Sequence, residues 1–279
     1  MLASFLITLR EGLEAALIVG IVLSALRKLN QTDKKRPVWL GVIAAVLVSV
    51  AAGWLFNRLG IAFEGRGEEI FEGLAMLLAA GVLTWMIFWM QRQGRNIEAE
   101  LERDVRQAVT AGSAWALFSL AFVAVVREGI ETALFMTAAA FSATPAQTLV
   151  GGLIGLAVAI VLGWLIFAAG KQLNLRAFFW GTSILLLIFA AGLLAHGMHE
   201  LQEAGLLPIL VEHVYDINSV LNENSTVGTF LKALLGYNGN PSLLEMLAYV
   251  GYLVLVGILL GRGWRTPVRA RSARASQTA

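Results

Sequence analysis

Long apolar runs alternate with short polar connections along the whole chain. A run of about 18 or more apolar residues has the length of a bilayer-spanning helix. The pattern predicts seven spans, at residues 2–27, 38–58, 69–90, 112–141, 147–169, 177–200 and 243–262. Pro37, Pro145, Pro208, Pro241 and Pro267 all fall at or beyond span ends, so no helix interior is broken. The expected fold is an all-α polytopic membrane protein, a single transmembrane domain over residues 1–279. An outer loop is expected at 202–242, a seventh span at 243–262 and a cytoplasmic tail at 263–279. After span 3, Glu98, Glu100, Glu102 and Asp104 lie among arginines, which reads as a solvated amphipathic helix.

Basic residues orient the spans, because Lys and Arg accumulate on the cytoplasmic side. Arg27, Lys28, Lys34, Lys35 and Arg36 follow span 1. Arg92, Arg95, Arg103 and Arg106 follow span 3, and Lys171 and Arg176 follow span 5. Arg262, Arg265, Arg269, Arg271 and Arg274 follow span 7. The alternate connections hold only Arg58 and Arg66, then none, then Lys232. The N-terminus is therefore expected outside and the C-terminus inside. Trp39, Trp85, Trp89, Trp180 and Trp264 fall near cytoplasmic span ends, where indole rings prefer the interface. The apolar run begins at Leu2 with no basic region before it, so no cleavable signal peptide is expected.

The spans repeat. Arg10-Glu11-Gly12-Leu13-Glu14 in span 1 matches Arg127-Glu128-Gly129-Ile130-Glu131 in span 4. Gly41, Ala45, Ser49 and Gly53 in span 2 match Gly151, Gly155, Ala159 and Gly163 in span 5. Ala79-Ala80-Gly81 in span 3 matches Ala190-Ala191-Gly192 in span 6. The offsets are 117, 110 and 111. Three spans is an odd number, so the second copy (112–201) enters the membrane upside down relative to the first (1–91). An inverted 3+3 repeat plus a seventh helix is a transporter plan with its site near the midplane. The small residues of spans 2 and 5 are expected to let helices approach closely.

Composition narrows the chemistry. Only 14% of residues are charged, against about 25% in a soluble domain. No cysteine is present, which removes disulfides, thiolate metal sites, iron–sulfur clusters and thiol catalysis. The net charge of +2 arises from loops and tail, which fits membrane orientation rather than nucleic-acid binding. No glycine-rich loop ends in Lys-Ser or Lys-Thr, so the chain does not consume ATP by itself.

The six motif charges are the chemical centre of the sequence. On a helix each Arg-Glu-X-X-Glu set falls within an arc of roughly 100°. Both sets lie near the middle of a span, where an ionised residue costs about 2.5–3.5 kcal/mol. Arg10 can bridge Glu14 and Arg127 can bridge Glu131. That leaves Glu11 and Glu128 as surplus acids, and four carboxylates in reach of a bound cation. Oxygen-only ligation selects hard cations: ferric iron, magnesium, calcium, manganese and, less strongly, ferrous iron.

A second candidate site lies toward the outside. Glu68, Glu69 and Glu72, with Glu64 just before, open span 3. His196, His199, Glu200 and Glu203 share a face at the outer end of span 6, and the loop adds Glu212, His213 and Asp216. Of these, Glu69, Glu72, His196 and His199 are the expected metal ligands of a capture site.

At the two motifs the sequence resembles the oxidase-dependent iron permeases, the family of the bacterial EfeU-type and fungal high-affinity iron permeases. The likeness covers nearly the whole chain. It implies a non-enzymatic carrier with an iron ion as substrate and no permanently bound cofactor. Glu11, Glu14, Glu128 and Glu131 would be its metal ligands, and Arg10 and Arg127 their charge partners. It implies residence in the lipid bilayer of the bacterial cytoplasmic membrane. It also implies partner chains, a periplasmic iron-binding protein and a haem peroxidase or oxidase, docking on the outer loop. The residues alone leave open a carrier for another hard divalent cation, such as manganese or magnesium, and an intramembrane metal sensor.

Overall fold

A computed structural model describes residues 1–62, 64–93, 97–141, 144–167, 175–223 and 225–263. Trp264 and the tail beyond it lie outside the described residues, as do Arg95 and Lys171. The regular structure of the described residues is all helical: α1 Leu2–Lys28, α2 Lys35–Ala62, α3 Arg66–Gln93, α4 Ile97–Thr110, α5 Ala114–Phe141, α6 Pro145–Phe167, α7 Leu175–Glu203, α8 Thr226–Leu235 and α9 Leu243–Gly263, with a short 3-10 turn at Thr32–Lys34.

Each expected span falls on one helix. Among the described residues five stretches are long and apolar enough to cross a membrane: Thr32–Leu59, Arg66–Met90, Pro145–Phe167, Ala177–Glu203 and Leu243–Gly261. α1 and α5 have the length, but each carries three charged residues near its middle, the two motifs themselves. Leu47, Val50, Ile160, Trp164 and Leu255 are exposed along α2, α6 and α9. An outward apolar surface of that extent, on helices of bilayer length, fits contact with lipid. The chain is a multi-pass membrane protein.

α4 is the amphipathic connection expected from its charges. It buries Val105 and Ala108 against Val22, Ala25 and Leu26 of α1, Val38 of α2, and Leu117 and Ala121 of α5. Its outward face carries Glu102, which pairs with Lys28.

The main interfaces are α1 on α6, α2 on α5, α3 on α7, and α1 on α5. Exchanging α1 with α5, α2 with α6 and α3 with α7 leaves this set unchanged. The correspondence reaches single residues. Gly12 of α1 packs on Ala159 of α6, and Gly129 of α5 packs on Ser49 of α2. Gly163 packs on Ala16, and Gly53 on Ala133. A Cβ on Gly151 would collide with the Met1 carbonyl, and one on Gly41 with the Phe118 carbonyl. α1 and α6 run parallel, as do α2 and α5. α3 and α7 run antiparallel, with Gly73 beside Gly197 and Leu201, and Leu77 beside Gly197. Ser49 and Ala159 lie near the middles of α2 and α6, so both motif glycines sit at mid-helix depth.

The connection between α7 and α9 contains a helix that its sequence does not announce. α8 starts at Ser225, whose Oγ accepts from the Gly228 amide at 2.9 Å. It ends at Gly236, with φ of 67°, pressed so closely on Gly192 of α7 that a Cβ on either would strike the other's backbone. α8 therefore reaches the middle of α7, and Leu235 joins the main core. The chain returns to α9 through a capping box. The Ser242 amide donates to Glu245 Oε1 at 3.0 Å and the Glu245 amide to Ser242 Oγ at 3.3 Å.

Candidate metal centre

α1 and α5 cross with their motifs facing each other. Arg10 and Glu11 are 0% and 1% exposed, and Glu128 and Glu131 are 5% and 8%, so these four charges point into protein, whereas the Arg127 side chain is 36% exposed. Arg10 Nη1 donates to Glu11 Oε1 at 2.9 Å, and Nη2 lies 3.1 Å from Glu14 Oε1. Arg127 Nε donates to Glu131 Oε1 at 3.0 Å and lies 4.0 Å from Glu128 Oε1. The two bridges expected from spacing, Arg10 to Glu14 and Arg127 to Glu131, are present. Glu11 is not a surplus acid, however, because the buried guanidinium forks between both carboxylates of its motif.

Carboxylate oxygens of Glu11, Glu128 and Glu131 lie within 4.8 Å of one another. Among the described residues this is the one group of three or more His, Asp or Glu side chains so close. The Oε2 atoms of all three are buried and accept no hydrogen bond. A buried acceptor without a partner is costly, and three converging carboxylates repel one another. A cation among them removes both penalties. Glu14 stands beside the trio, held by Arg10.

Among the described residues, those expected at the outer side do not form one cluster. α3 is tied to the end of α7 by Arg66, whose Nε donates to the Ala204 carbonyl at 2.7 Å. There Glu72 lies within electrostatic reach of Glu68 and Glu200, and Glu69 within reach of Glu200. His199 is turned to α9 instead, with Nδ1 at 3.1 Å from Glu245 Oε1 and Nε2 at 3.3 Å from Glu203 Oε1. His196 lines a small recess with Phe189, Gly192, Leu193, Lys232 and Gly236. In the loop, His213 Nδ1 lies 3.1 Å from the Asn240 carbonyl, and Asp216 accepts from the Asn218 amide at 2.9 Å.

Sequence reasoning missed the neighbours that α3 supplies. Met86 Sδ and Met90 Sδ accept from Arg10 Nη1 and Nη2 at 3.1 and 2.9 Å. The Arg127 guanidinium lies over the Trp89 ring, 4.5 Å from its centroid. Trp89 is therefore not simply a belt residue at the interface. The i, i+3, i+4 spacing of Met86, Trp89 and Met90 was the available signal.

The family model described as "Iron permease FTR1 family" matches residues 1–266. The chain belongs to the iron permease FTR1 family. This permease is 38% identical over 256 residues to the ferrous iron permease EfeU of Escherichia coli O6:K15:H31 (strain 536 / UPEC), covering 91% of this chain and 93% of that one. It is 36% identical over 261 residues to the ferrous iron permease EfeU of Yersinia pestis, covering 93% of each. No solved structure matches it. Both motifs lie inside the matched region, and membership in a permease family makes this chain a transporter rather than an enzyme.

Proposed function

We propose that the chain imports iron across the bacterial cytoplasmic membrane by passing it through the carboxylates of Glu11, Glu14, Glu128 and Glu131. The observation that carries this reading is the convergence of Glu11, Glu128 and Glu131 within 4.8 Å at mid-helix depth. Four carboxylates and two guanidiniums leave a net charge of −2, the complement of a divalent ion. The relatives are named ferrous iron permeases, which supports iron(II) as the ion carried. An inside-negative potential favours inward movement by about 2.3 kcal/mol per charge per 100 mV, or about 4.6 kcal/mol for iron(II).

In this reading all seven long helices cross the bilayer, as an inverted repeat plus α9. The matched interfaces and the antiparallel α3–α7 pair support it. The N-terminus lies outside. Glu69 and Glu72 then open toward the periplasm with Glu200, and His196 and His199 stand nearby as capture residues. The outer loop at 202–242 is the docking face for a periplasmic iron-binding protein and a haem peroxidase or oxidase. Because the chain has no cysteine, topology is directly testable. In spheroplasts a membrane-impermeant maleimide is expected to label Glu64→Cys, and to label Asp33→Cys only after permeabilisation. The reverse pattern refutes the orientation.

Manganese is the second reading, favoured by the purely oxygen donor set at the trio. Proteoliposomes loaded with the purified chain separate the two. Iron(II) uptake is expected to persist in a tenfold excess of manganese. Robust manganese uptake without iron uptake would overturn the iron assignment.

A further inference from the structure

Three side chains on one face of α3 touch the site without belonging to its carboxylates. Each terminal nitrogen of Arg10 is shared between a carboxylate and a thioether: Nη1 between Glu11 and Met86, Nη2 between Glu14 and Met90. Arg127 meets Glu131 through Nε while its planar face rests on Trp89. One helix, neither α1 nor α5, thus grips both motif cations.

A guanidinium has five donors and its preferred partner is a carboxylate taken bidentately. The Glu11, Glu128 and Glu131 oxygens are the most negative place within reach of both arginines. Left without another anchor, either guanidinium would swing among those oxygens and occupy the place of a cation. Thioethers are weak, uncharged acceptors, and an indole ring attracts a cation through its quadrupole. Both hold a guanidinium without adding charge, so the carboxylates keep their net negative charge for the cargo.

We infer that Met86, Trp89 and Met90 are positioning residues for iron binding, holding Arg10 and Arg127 on the α3 side of the carboxylates. The inference rests on the proposed iron site at Glu11, Glu128 and Glu131.

Anaerobic equilibrium binding of iron(II) to the purified full-length chain in detergent tests it, with Glu128→Gln as the control for the site. Wild type is expected to bind and Glu128→Gln to lose binding. Trp89→Leu weakens binding by about fivefold or more, the size of a partly desolvated cation–π contact. Trp89→Phe keeps an aromatic face under Arg127 and stays within about twofold of wild type. In an Arg127→Gln background Trp89→Leu has no further effect, because the two residues act as one unit. Should Trp89→Leu not purify as folded protein, Met86→Leu/Met90→Leu, close in volume, takes its place with a loss of the same size expected. Wild-type affinity in the variant used, or equal weakening by Trp89→Leu and Trp89→Phe, overturns the positioning role. Either result with binding still lost in Glu128→Gln leaves the iron site standing. Unaltered binding in Glu128→Gln overturns the site and the inference with it.

Discussion

Glu128→Gln is expected to lower the initial rate of iron(II) uptake into proteoliposomes by more than about 100-fold, at unchanged protein content. Even outer partners of metal ligands cost about 10- to 100-fold when removed, and Glu128 is proposed as a ligand itself. Glutamine keeps the volume and one oxygen, so packing against the neighbouring helices survives. It removes one of the charges that together balance a divalent ion. Glu11→Gln and Glu131→Gln are expected to behave alike, because their oxygens complete the same trio. Glu69→Gln and Glu72→Gln lie at the N-terminal end of α3, away from the trio, and are expected to raise the half-saturating iron concentration while leaving the maximal rate within about twofold, as a loss of binding alone does. Initial rates normalised to correctly inserted protein measure all five variants. Wild-type rates in any of the three trio variants would contradict the account.

Arg10→Leu is expected to act on folding first. Arg10 is wholly buried and serves both Glu11 and Glu14. Removing one partner of a buried ion pair costs about 3–5 kcal/mol, because the other charge is left buried and unpaired. Here two carboxylates are abandoned at once. The yield of monodisperse protein, followed by fluorescence-detected size exclusion, should fall at least tenfold. Adding Glu14→Gln removes one stranded charge, and the Arg10→Leu/Glu14→Gln pair should recover much of the yield without recovering uptake. Arg10→Lys should not rescue, since a single ammonium cannot fork between two carboxylates and two sulfurs. Normal yield of Arg10→Leu would show that the guanidinium is not needed to hold the motif together.

The parts legible in the sequence are those where physics is local. A bilayer-length apolar run can be little else than a long helix, and among the described residues each expected span falls on a helix, five of them apolar enough to cross a membrane. Charges placed at mid-run mark a candidate site because leucine would have been cheaper there. The pairing of Gly12 with Ala159 and of Gly129 with Ser49 follows the four-residue spacing of small side chains along spans 2 and 5. What was not legible depends on side chains meeting across distant segments. The spacing of Met86, Trp89 and Met90 puts the three on one face, but it does not indicate that Arg127 will lie over the Trp89 ring, since a tryptophan at a span end has an adequate explanation in the interface. His199 and Glu203, one turn apart, suggest a shared metal. Glu245 lies far along the chain and takes the other nitrogen of that ring. α8 is too short to read as a span, and only its close contact at Gly192 shows that it descends beside α7. Arg10 illustrates the limit within one helix. Spacing favours the i+4 bridge to Glu14, whereas the adjacent Glu11 is reached because burial leaves the guanidinium no water to turn to.

Anomalous diffraction at the iron absorption edge, from crystals of the chain grown with iron(II), addresses the site most directly. A peak is expected between α1 and α5 within bonding distance of carboxylate oxygens from Glu11, Glu128 and Glu131, and absent from Glu128→Gln crystals. Iron bound elsewhere with that space empty at saturating concentration, or a peak that persists unchanged in Glu128→Gln, would contradict the account.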